Sequence, residues 1–217
     1  MKPNIVIRIL RALFIWRVNY PSRAEVLEQL AKAKKDGLPV AILTHDIGLS
    51  KGNVPGKGNW LLASALAEML KLVPNNTPVL AQTGVAIAGR KRGLQVTKMI
   101  GPPTLETRLD QSSMAYNSNT VIAVQRGWLA ARGMFPHCLV FVLTSPDHMP
   151  RVKWLMERQG FTNIIPVPLL SYRQRDYLDP NALYPAMRWA ARVPCGIVIF
   201  RAYKLMIRTL FICKGLI

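Results

Sequence analysis

Acidic residues are scarce in this chain: 11 Asp plus Glu stand against 29 Lys plus Arg in 217 residues, a formal net charge of +18. A basic excess this large predicts an anionic partner, whether nucleic acid, membrane headgroups or a phosphorylated ligand, and composition does not choose among them. Cysteine is scarce as well. Cys138, Cys195 and Cys213 are odd in number and show no C-x-x-C spacing, which excludes a disulfide framework, offers no zinc or redox motif and fits a reducing compartment. A clean apolar run is also lacking, because Arg8, Arg11 and Arg17 interrupt the apolar stretch at 5–18. A secretory core would be uncharged there, and a membrane span needs ~20 mainly apolar residues. No internal repeat or low-complexity tract occurs. What is present is hydrophobic material, half of all residues. That is enough to bury a sizeable core without disulfides and to exclude disorder.

Periodicity then places the elements. Ala24, Leu27, Leu30 and Ala31 recur at helical spacing over 23–36, with Gly37 as a stop. The run at 39–44 is short and continuously apolar, as expected of a strand covered on both faces. A glycine-rich loop at 45–58 precedes a helix over 59–72, with Leu62, Leu66, Met69 and Leu70 on one face. A second strand is expected at 78–82, followed by a basic loop and a helix from about 116 to 132. The strand at 139–144 is the clearest in the sequence; a helix over 147–159 and a short strand at 164–167 follow. Strands alternating with helices predict an α/β fold: a Rossmann-like, mostly parallel sheet with helices on both faces. The expected organisation is a basic apolar segment at 1–22, the α/β domain at 23–180 and a basic amphipathic segment at 181–217.

Ligands of such sheets bind outside the carboxyl ends of the strands, where the chain order reverses. That rule selects His45-Asp46, Thr83-Gly84 and Thr144-Ser145-Pro146-Asp147-His148 as one rim. His45 beside Asp46 suits a base with an orienting carboxylate, or a polar pair that only closes a strand. His137 precedes its strand and suits the surface. Asp147 can cap the following helix, with Pro150 in the first turn, while His148 and Arg151 suit an anionic ligand at a helix N-terminus. Gly56, Lys57 and Gly58, with Asn59 able to cap the next helix, could cradle a phosphate or form only a polar lid. They are not a Walker loop, since the spacing is one residue short and no hydroxyl follows the lysine. Arg90-Lys91-Arg92, with Lys98, is either a solvated face or a steering patch near the rim.

The run Thr144-Ser-x-x-His148-Met-Pro-Arg151, with Gly160 further on, resembles the signature of the YdcF-like family, the domain of unknown function shared by the SanA and ElyC envelope proteins. A fainter echo of a second family signature lies at 112–120, where Asn117 and Ser118 match but Ser112 stands at the usual acidic position. Gly48 and Thr83-Gly84 are similar to the family's glycine-rich first loop and second-strand turn. The resemblance spans about residues 39–170. It implies a Rossmann-like fold, a role in bacterial cell-envelope biogenesis and, for one branch, an adenosine-type cofactor such as S-adenosylmethionine. On that reading Arg151 and the amides near His148 hold a phosphate or nucleotide, Asp147 or His148 moves a proton, and Thr144, Ser145, Asn117, Ser118, Asp46, Thr83 and Gly84 line the ligand. The ligand would be an anionic small molecule or a lipid-linked precursor. Catalysis, regulation without catalysis, and methyl transfer all stay open.

The segment at 195–213 is apolar but carries Arg201, Lys204 and Arg208 at i, i+3, i+7, which share a helix face. A basic stripe beside Ile197, Phe200, Met206 and Phe211 suits a helix lying on an anionic membrane surface; the alternative is a terminal helix packed on the domain. With residues 5–18 of similar character, the expectation is peripheral attachment to the cytoplasmic side of a bacterial inner membrane, or else a soluble cytoplasmic protein. Nucleic acid fits less well, since the cations are interleaved with bulky apolar residues and no known module is present.

Overall fold

The computed structural model describes residues 18–46, 49–50, 54–101, 118–146 and 148–167. The first helix, α1 (Arg23–Lys35), begins at a full capping box: Ser22 accepts from the Glu25 amide while Glu25 reaches back to the Ser22 amide at 2.6 Å. Reciprocal capping satisfies two of the amides that a helix start leaves without intrahelical partners. Strand β1 (Val40–Thr44) follows, then a hairpin of β2 (Leu49–Ser50) and β3 (Val54–Pro55), and α2 (Lys57–Leu70). Next come β4 (Val79–Gln82), α3 (Thr83–Lys91), β5 (Lys98–Ile100), α4 (Ser118–Ala130), β6 (Leu139–Leu143), α5 (Met149–Arg158) and β7 (Asn163–Pro166).

Five strands form one sheet in the order β5-β4-β1-β6-β7, every neighbouring pair parallel. The chain walks outward from β1 to β4 and β5, then returns to the other side of β1 for β6 and β7. This is the Rossmann-like α/β arrangement, and its order reverses between β1 and β6. Strand alternation supplies two cores. Ile42, Ala81 and Phe141 face Leu62, Leu66 and Val85 on the side of α1, α2 and α3, whereas Ala41, Leu43 and Val142 face Ile122, Leu129, Val152 and Met156 on the side of α4 and α5. Burial on both faces is why β1 and β6 read as unbroken apolar runs.

Three expectations need correction. The basic loop after the second strand is instead α3, which leaves β4 without a spacer, followed by the edge strand β5. The glycine-rich loop contains the β2–β3 hairpin. Asn59 does not cap α2: Gly56 occupies that position without a side-chain hydrogen bond, and Asn59 is a fully buried residue of the first turn. Among the described residues no helix is long and apolar enough to cross a membrane. The apolar stretch at 5–17 and the segment at 181–217 lie outside the described residues, as do Gly48, Asn117 and Asp147.

Candidate functional site at the strand exits

Parallel register brings the predicted exits together. Thr44 lies opposite Ala81 of β4 on one side and Leu143 of β6 on the other, so the chain leaves all three strands at one edge. The β1–β6 pairing continues one step further, with the His45 amide donating to the Leu143 carbonyl at 2.9 Å. Continued alternation sends His45 and Thr144 toward α4 and α5, and Thr44 and Asp46 toward α2 and α3.

At the exits of β1 and β4, the Asp46 amide donates to Gln82 Oε1 at 3.0 Å, so the last side chain of β4 supports the loop leaving β1. Thr83 Oγ1 donates to the Ile100 carbonyl at 3.3 Å, tying the start of α3 to β5. Gly84 sits where a Cβ would fall 2.4 Å from Asn59 Nδ2 and 3.2 Å from the Asp46 Cβ. The start of α3 can approach α2 and the β1 exit this closely only because residue 84 lacks a side chain. Gln82 is a support that the sequence reading missed, and Asn59 packs against Gly84 instead of capping α2; their visible signal is a polar residue inside an otherwise apolar strand or helix face.

On the α4–α5 side, Ser118 Oγ and His148 Nε2 are 3.0 Å apart. Ser118 opens α4, His148 is the N-cap of α5, and both are half-buried. Behind them, Gln125 of α4 is wholly buried and donates from Nε2 to the Leu80 carbonyl at 3.2 Å, joining this helix to the sheet.

His45 is fully buried, and desolvation pushes its imidazole down to about 3, so it is neutral at physiological pH. Neither ring nitrogen finds a hydrogen-bond partner among the described residues. The expected base with an orienting Asp46 is therefore not formed, since neither His45 nitrogen is hydrogen-bonded to the Asp46 carboxylate. Thr44 Oγ1 and Thr144 Oγ1 are likewise buried without partners among the described residues. Each such group costs about 1–3 kcal/mol; Thr44, His45 and Thr144 lie at the exits of β1 and β6, while Gln125 Oε1 and Gln159 Oε1 are similarly without partners among the described residues but lie elsewhere.

The charges fall differently from the sequence expectation. Arg90 and Lys91 end α3, which starts at the rim, so its nine residues carry them about 12 Å away. There they face the negative end of the helix dipole, while Arg92 lies 5.7 Å from the centre of the Trp60 ring. The basic cluster is thus a helix C-terminus and not a patch near the rim. Lys57 is exposed at the first position of α2, with Gly56 and Gly58 buried on either side. Arg151 lies in the first turn of α5 as an exposed residue, and partial desolvation of its guanidinium lowers its pKa; it nevertheless stays charged, as guanidinium groups do in proteins. Ser145 is buried and its carbonyl accepts from the His148 and Met149 amides, both at 2.9 Å, which makes the sharp turn into α5. His137 is exposed ahead of β6, as expected.

Comparison of the chain with protein-family models, curated proteins and solved structures gives no match. Among the described residues no group of three or more His, Cys, Asp or Glu is placed to hold a metal ion.

Proposed function

We propose that this is a YdcF-like domain that binds a phosphate- or nucleotide-bearing small molecule over the β1–β6 exits, in cell-envelope biogenesis at a bacterial membrane. One observation carries the reading. Four helices, α2 to α5, begin at this rim and none has an acidic residue in its first turn; α2, α3 and α5 also lack a side-chain cap. By contrast α1, which no strand feeds at this rim, has both a capping box and an acid in its first turn. Uncapped helix starts present N–H groups and positive dipole ends, the usual means of holding phosphate. Such a field favours a phosphate over the cationic sulfonium of a methyl donor.

Arg151 adds a forked, permanent charge to the α5 end of this cradle. With ADP as the probe, calorimetric titration of the purified protein should show binding that Arg151→Ala weakens about tenfold or more, since a hydrogen bond to a charged group contributes about 1.5–3 kcal/mol. Equal affinity in the two proteins contradicts the assignment.

A further inference from the structure

We infer that Ser118 is a nucleophile, activated by His148, that cleaves a phosphoester at this rim; the inference rests on the phosphate-binding reading above. The hydroxyl and the imidazole come from two different helices and meet at 3.0 Å. That is hydrogen-bond reach for a nucleophile and its base. Both residues are half-buried at the starts of their helices. With the ring proton on Nδ1, Nε2 accepts the Ser118 proton. His45, the other rim imidazole, is wholly enclosed, which leaves His148 as the base a ligand can reach.

The step balances without a further reactant except water. Ser118 Oγ bonds to phosphorus as the bond from phosphorus to the ester oxygen breaks; the hydroxyl proton passes to His148 Nε2 and from there to the departing oxygen, releasing an alcohol. Water then gives a proton to the same nitrogen and attacks phosphorus, the Oγ–P bond breaks, and the proton returns to Ser118 Oγ. Charge developing on the other phosphate oxygens meets the first amides of α4 and α5, whose opening turns carry no acid. Ser118 occupies the first position of α4, where its own helix supplies those amides.

Incubating the full chain with a fluorophosphonate, which phosphonylates activated serines with loss of fluoride, tests this directly by intact mass and peptide mapping. The expected result is one adduct on Ser118, absent in Ser118→Ala and formed about a hundredfold more slowly in His148→Asn, the usual scale of a lost general base. Circular dichroism checks folding, and His148→Gln serves as a second base-free variant if the first is unfolded. An unlabelled Ser118 in the wild type, or an equal rate in a folded His148 variant, overturns the proposal. ADP binding without labelling would overturn the nucleophile alone; labelling without ADP binding would count against the phosphate reading and leave the activated serine standing.

Discussion

His45 shows how a single residue at the strand exits couples the fold to solution conditions. Its imidazole titrates at about 3 in the folded chain because burial penalises the charged form; in the unfolded chain it titrates near 6.5. The unfolded state therefore binds a proton that the fold excludes, so stability is full above pH 6.5 and falls as pH drops toward 3. Between pH 7.5 and 5 this residue alone should cost about 2 kcal/mol. Urea unfolding at the two pH values checks it: His45→Gln should lose less stability on acidification than the wild type, and parallel losses contradict the account. The position of His45 at a strand exit is legible in the sequence. The lack of a hydrogen bond from its ring to Asp46 is legible only in the structure. The Ser118–His148 pair is not legible, because thirty residues separate the two and only the packing of α4 beside α5 brings them together.

Elements differ in how openly the sequence announces them. β1 and β6 show as apolar runs because both their faces are covered, and α1 shows by Ser22, Glu25 and the stop at Gly37. α3 gives no such signals: it follows β4 without a turn, has no side-chain cap, and buries mainly Val85, Ala86 and Ala88, side chains too small to make a strong helical stripe. β5 has only three residues, of which Ile100 alone is buried. Charge at the end of α3 then resembles a loop when read without the helix. The terminal stretches at 5–18 and 195–213 supply the membrane part of the proposal through Arg201, Lys204 and Arg208 beside Phe200 and Phe211. Cell fractionation should find the protein with membranes, resistant to a high-salt wash and released by detergent, as expected when apolar burial adds to lipid attraction. Recovery in the soluble fraction without either wash contradicts attachment.

At the scale of the whole molecule, the strand order decides where function can lie. Placing β4 and β6 on opposite sides of β1 opens a crevice at the β1–β6 exits and points four helix starts toward it. The alternation of elements predicts such a sheet, but the order requires long-range pairing that no local pattern encodes. The buried polar atoms of Thr44, His45 and Thr144, without partners among the described residues, lie at the exits of β1 and β6, and Ser118 and His148 lie at the starts of α4 and α5. Hydrogen exchange with and without ADP measures most directly whether the ligand sits there. The account predicts slowed exchange confined to residues 44–46, 83–85, 118–121 and 145–152, where the strand exits and helix starts meet. Protection that falls instead on α1 and the C-terminal turn of α3, with the exits unchanged, would contradict it.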